Sequence, residues 1–134
     1  MKTVNAIVEK AKDGSFSVYT KVDDLPYGLN GNGETLKQAK ADFMQGYEAI
    51  KEAYAAEGED FEDVEFAFTY DLPSFLQDYA YAFTLAGLQR ITGVNQKQLG
   101  HYISGYRRPS AKTTARIERR LHEFSRILTS VHLI

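Results

Sequence analysis

The hydrophobic period changes partway along this chain, and that change limits the folds open to it. In the first half apolar residues mostly recur at steps of two, the period of a half-buried strand, with one stretch at steps of three and four. Beyond about residue 73 only the longer, helical steps remain. The chain is therefore expected to divide into an α+β module, residues 1–73, and an all-α module, residues 74–134. Its 134 residues suffice for one ordinary domain or two small ones.

In the first module, residues 3–10 read as a strand with Val4, Ala6 and Val8 on one face. Asp13-Gly14 is a hairpin turn, since both residues tolerate positive φ. Phe16, Val18, Thr20 and Val22 then alternate with Ser17, Tyr19 and Lys21, a second strand. Asp24-Leu25-Pro26-Tyr27-Gly28 breaks it, and a short third strand is expected near 29–31. Thr35 and Gln38 form a capping box ahead of the stripe Leu36, Ala39, Phe43, Tyr47, Ile50 and Tyr54. Gly58 ends that helix, and Glu57, Glu59, Asp60, Glu62 and Asp63 make an acidic linker. Val64, Phe66, Phe68 and Tyr70 form the last strand. The expected order is β-β-β-α-β, a small, mostly antiparallel sheet covered by one helix.

In the second module, Pro73-Ser74 opens a helix expected to run to about residue 83. A helix near 85–92, a turn at Gly93-Val94-Asn95 and a helix over 96–104 follow. Gly105 stops that helix, and Ser110 caps a long one reaching about 129.

Charge divides at the same place. Residues 1–73 hold 7 Lys/Arg against 15 Asp/Glu, a net −8, and residues 74–134 hold 9 against 3, a net +6, within an overall −2. The basic half suits a polyanion and the acidic half repels one. Cysteine is absent, which excludes disulfides and thiolate metal sites, and the histidines at 101, 122 and 132 form no close metal pair. No cofactor or metal is expected. No apolar run approaches the roughly 20 residues of a membrane helix, and the N-terminus lacks the apolar core of a signal peptide. The expectation is a cytoplasmic protein without a membrane partner.

The segment from Leu88 to Gly105 carries the most specific signal. Gly93 permits a tight turn between two helices, Val94 and Leu99 pack between them, and Tyr102 and Ile103 anchor the second from behind. Gln96, Lys97, Gln98, Gly100 and His101 are left at its outward N-terminal end, where a recognition helix presents side chains to base edges. Gln pairs bidentately with adenine, and Lys favours guanine or phosphate. Gly100 would let the helix approach the DNA backbone. The stretch resembles the helix-turn-helix of the phage Cro and repressor family in its turn glycine, its opening Gln and the Gly-x-Arg-x-Pro-Ser pattern at 105–110. Gln89 and Thr92 depart from that family's pattern. The resemblance implies phosphate contacts from Tyr106, Arg107, Arg108 and Lys112.

The Asp-Gly hairpin, the Asp24-Leu25-Pro26-Tyr27-Gly28 loop and Gly33-Glu34-Thr35-Leu36 before an amphipathic helix resemble the HicB antitoxins. Tyr27 interrupts their usual Pro-Gly step. The resemblance implies a partial RNase H-like sheet that binds a small basic HicA-like toxin, blocking its RNA cleavage, joined to a domain that represses the shared operon at its operator DNA. Toxin contacts would fall to Asp23, Asp24, Leu25 and Tyr27, or to Glu59 and Asp60. No catalytic residues are expected, because no carboxylates converge as two-metal hydrolysis requires. A stand-alone Cro/repressor-type transcription regulator, whose N-terminal domain binds a ligand or oligomerises, is the competing reading.

In the last helix Ile117, Leu121, Phe124, Leu128 and Val131 follow a 4-3-4-3 spacing, the seam of a helix that packs on another helix. Its first half is expected to pack within the domain. Leu121, Phe124, Leu128 and Val131 are the candidate contacts of a homo-oligomer, a dimer or tetramer, matching the symmetry of an operator.

Overall fold

Gly14 and Asp13 turn the chain so that β1 (Lys2–Lys10) pairs antiparallel with β2 (Phe16–Tyr19), setting Val8 opposite Val18. The Ser15 N–H and hydroxyl both donate to Asp13 Oδ1, at 2.9 and 2.6 Å, and hold the turn. β2 in turn pairs antiparallel with β3 (Asn30–Gly33). The structure, a computed structural model describing residues 1–134, is α+β, with a four-stranded mixed sheet and five helices.

Helix α1 (Leu36–Ala56) starts at the capping box. The Gln38 N–H donates to Thr35 Oγ1 at 3.1 Å, and the Thr35 N–H donates back to Gln38 Oε1 at 3.3 Å. Ala39, Phe43 and Tyr47 are buried against Val4, Ala6, Val8, Phe16 and Val18, the inward face of the sheet. The helix then delivers the chain to β4 (Val64–Tyr70), giving the sheet order β3-β2-β1-β4.

Two of the three strand pairings are antiparallel, as expected, but β4 runs parallel to β1, so the sheet is mixed and not purely antiparallel. The cause is the connection. An antiparallel neighbour needs only a short turn, whereas a helix that recrosses the sheet returns the chain in its original direction. Two other expectations change. β2 stops at Tyr19, and Val22 is 92% exposed, because the chain turns at 21–24 and the interior is filled instead by Leu25 and Leu29. The acidic linker is not free: Phe61 within it packs on Tyr27, Tyr47 and Tyr54 at centroid distances of 5.9, 5.5 and 5.2 Å.

The chain forms two units, Met1–Phe75 and Leu76–Ile134. Helix α2 (Leu72–Asp78) begins where Asp71 Oδ2 accepts from the Ser74 hydroxyl, while that hydroxyl's oxygen accepts the Lys10 N–H. It is shorter than the helix expected to residue 83. After Asp78 the chain makes two i→i+3 turns, Ala80 N–H to Gln77 O and Ala82 N–H to Tyr79 O, before Thr84 caps the next helix. α3 (Leu85–Thr92), α4 (Gln96–Ser104) and α5 (Ala111–Thr129) make up the rest of the second unit. No helix is long and apolar enough to cross a membrane.

Helix α1 sits on the bare backbone of β3. A Cβ added to Gly31 would lie 2.5 Å from Ala39 O and closer still to Phe43 N, both backbone atoms that cannot yield without moving the helix. Gly31→Ala should therefore destabilise the first unit by about 3 kcal/mol, the upper range for overpacking. Gly28→Ala meets nothing within 4 Å and should stay within about 0.5 kcal/mol of the parent. Urea unfolding followed by tyrosine fluorescence checks this, and equal midpoints for the two variants would mean that α1 does not rest on β3.

Candidate nucleic-acid interface and acidic surface

α3, α4 and α5 are each set by their own N-terminal caps. The Thr84 side chain accepts from the Gly87 N–H at 2.9 Å, Asn95 Oδ1 from the Lys97 N–H at 2.8 Å, and the Ser110 hydroxyl from the Thr113 N–H at 3.1 Å. Gly93 ends α3 at φ +75°, in the left-handed region that a side chain disfavours. Leu88, Val94, Leu99, Tyr102 and Ile117 are buried, and α3 packs on both α4 and α5.

The two residues that depart from the repressor pattern both have definite roles. Thr92 is fully buried; its hydroxyl donates to Leu88 O at 2.7 Å and accepts the Val94 N–H at 3.1 Å, so it ties the end of α3 to the turn. Gln89 Oε1 accepts the Gln96 N–H at 2.8 Å and so holds the first residue of α4 against α3. A helix N-terminus leaves its first N–H groups without intrahelical partners, and here Gln89 and Asn95 supply two of them.

Gln96, Lys97 and Gln98 are exposed at the start of α4. His101 is half-buried, and its ring lies 4.8 Å from Tyr106, over which the Arg107 guanidinium sits at 5.8 Å. Tyr106 is itself 71% exposed, so the three form an outward column at the end of the helix. Arg108 and Lys112 are exposed beside it in sequence. Gly100 sits beside α3. It is half-buried, and a Cβ there would touch Leu85 of α3 at an ordinary 3.7 Å. Its bare side therefore faces the protein's own helix.

In the first unit, the stacking of Tyr27 on Phe61 brings the loop 23–27 and the spacer 57–63 to one place. Leu25 is buried and Tyr27 half-buried, with its hydroxyl enclosed and without a hydrogen-bond partner; that burial pushes the phenol up from its ordinary value. Of these two candidate contact residues, Leu25 belongs to the core and Tyr27 packs against it. The outward groups are Asp23, Glu59, Asp60 and Glu62, with Asp24 partly covered. Asp63 is engaged: Lys51 Nζ lies 2.7 Å from its Oδ1, and that bond holds the carboxyl below the usual range while raising Lys51.

Along α5 the apolar seam divides. Ile117 is buried, Leu121 and Phe124 are half-buried, and Leu128 is 59% exposed. Val131, 52% exposed, lies beyond the helix, which ends at Thr129. No group of three or more His, Asp or Glu side chains is placed to hold a metal ion. Compared with protein-family models, curated proteins and solved structures, the chain matches none.

The two glycines of the helix pair should respond oppositely. Gly100→Ala has room and a helical backbone, and should stabilise the second unit by roughly 0.5–1 kcal/mol. Gly93→Ala must hold a left-handed backbone and displace the Arg116 guanidinium, whose Nη2 would lie 2.6 Å from the new Cβ, and should cost about 1–2 kcal/mol. Thermal unfolding of both variants provides the measurement. Destabilisation by Gly100→Ala would mean that α4 lies closer to α3 than the 3.7 Å clearance from Leu85 implies.

Proposed function

We propose that this protein is a HicB-like antitoxin: its first unit binds and neutralises a small basic HicA-like toxin, and its second represses the shared operon by binding operator DNA. The observation that carries this reading is the pairing of an acidic sheet-and-helix unit with a basic unit whose α4 exposes Gln96, Lys97 and Gln98 at its N-terminal end. The first unit is read as a partial RNase H-like sheet, the second as a Cro/repressor-like helix-turn-helix. The strand order β3-β2-β1-β4 and the three-residue turn between α3 and α4 support both readings. In this reading the protein acts by binding and has no catalysis of its own. The toxin surface is the acidic rim of Asp23, Glu59, Asp60 and Glu62 around the Tyr27–Phe61 stack.

Division of labour can be tested on the full chain. Sites selected from random duplexes should be bound with a sequence preference that Gln96→Ala or Gln98→Ala relaxes at one base pair, a loss of about 1–3 kcal/mol each. Arg107→Ala and Arg108→Ala should instead weaken binding to every sequence and flatten its salt dependence. Co-expression with the neighbouring reading frame should yield a complex that Asp60→Lys weakens and Gln96→Ala leaves intact. A chain that binds DNA but captures no neighbouring product would favour the stand-alone regulator.

We further propose that two copies join through the exposed end of the α5 seam, since one recognition helix covers little DNA and specific affinity usually needs two half-sites. Leu128 is exposed within its own unit, so Leu128→Glu should leave the fold intact. It should produce monomers in sedimentation and weaken operator binding, because the two recognition helices are no longer tethered. A dimer that survives the change places the contact elsewhere.

A further inference from the structure

Helix α5 carries four of its five Lys and Arg residues on one side. With buried Ile117 as the inward direction and a turn of about 100° per residue, Leu121, Phe124 and Leu128 fall within about 40° of it. Glu118 lies on one flank. Lys112, Arg116, Arg119 and Arg126 all lie on the opposite flank and the outer face, and all four are exposed; Glu123 shares that flank but reaches toward Arg120. The position of Arg116 shows where that flank points: its Nη2 would lie 2.6 Å from a Cβ on Gly93, so it stands over the turn that opens α4. None of the four is ion-paired, whereas Arg120 lies 3.9 Å from Glu123.

We infer that Arg116, Arg119 and Arg126 form a second track for the phosphate backbone of duplex DNA, continuing from Lys112 along α5. The inference rests on the reading of α4 as the DNA-facing helix and extends that interface to a face not assigned from sequence. Unpaired charges of one sign repel one another and attract a polyanion. From Lys112 to Arg126 the helix advances about 21 Å, close to the axial rise of six phosphates on one strand. Guanidinium groups hold phosphate oxygens bidentately and keep their charge at any working pH. The track is separate from the apolar seam, so a dimer contact at Leu128 leaves it open.

The test uses the full chain with Arg116, Arg119 and Arg126 all changed to Gln, compared with the same three changed to Lys. Binding to a selected duplex and to a random one is measured across salt concentrations, with circular dichroism confirming the fold. The Gln variant should lose about 2–3 from the slope of log affinity against log salt on both duplexes, leaving their affinity ratio unchanged. The Lys variant should keep the slope, and the three single Arg→Gln variants, each expected to lower it by about 0.9, carry the test if the triple Gln variant fails to fold. An unchanged slope in the Gln variant, alongside weakened binding by Arg107→Ala, would overturn the track and leave the proposed function standing. Equal loss of binding to polyglutamate and to DNA would make this a general anion face and also overturn the track. A parent chain that binds no duplex would overturn the proposed function together with the track.

Discussion

Helix α1 rests directly on the backbone of β3, and the first unit is built around that approach. Gly31 and Gly33 carry no side chains, so the backbone of Ala39 and Phe43 comes to the distance a Cβ would otherwise occupy. Phe43 is thereby pressed fully into the interior, where it meets Phe66 and Phe68 edge-on at 4.8 and 5.9 Å. The Asn32 N–H donates to Asp42 Oδ2 at 2.9 Å and fixes the helix along the strand. With α1 crossing back over the sheet, the chain re-enters in the direction of β3, which is also that of β1, so β4 pairs with β1 in parallel. The Tyr47 hydroxyl then accepts the Val64 N–H at 3.0 Å, so the same helix also sets where β4 begins.

The second unit depends on smaller, local ties. Three capped helices meet over Leu99 and Ile117, and the turn between α3 and α4 is held from several directions at once. Thr92 bonds both sides of the turn, Gln89 reaches across to Gln96, and Arg116 covers Gly93. A buried hydroxyl that satisfies two backbone groups costs little, whereas losing it leaves a buried N–H without a partner, a penalty of about 1–3 kcal/mol. The rigidity of the turn matters for the proposed function, because a side chain reads a base edge only from a fixed backbone.

The acidic surface has a different origin. Its charges would repel one another on a free linker. Phe61 changes this by inserting among Tyr27, Tyr47 and Tyr54, so the spacer is held by its one aromatic residue and the carboxylates face outward around it. Lys51 compensates Asp63 at 2.7 Å, and the remaining acids are available to a cationic partner.

Much of this was legible in the residues alone. The alternation of Val4, Ala6 and Val8, the capping box at Thr35 and Gln38, and the bounds of α3, α4 and α5 all rest on local rules of period and capping. The outward placement of Gln96, Lys97 and Gln98 could be read the same way. The signal for Phe61 was also present, a lone aromatic in an acidic run, but its partners lie elsewhere in sequence. Tertiary structure alone decided that β4 pairs parallel with β1, that Leu25 turns into the core and that Tyr27 packs against it. It also set Gly100 against Leu85 and brought Arg116 to the turn at Gly93. Period and capping act within a few residues of one element. Strand partners and the direction a side chain faces depend on where distant elements come to rest, and no short stretch of sequence encodes that.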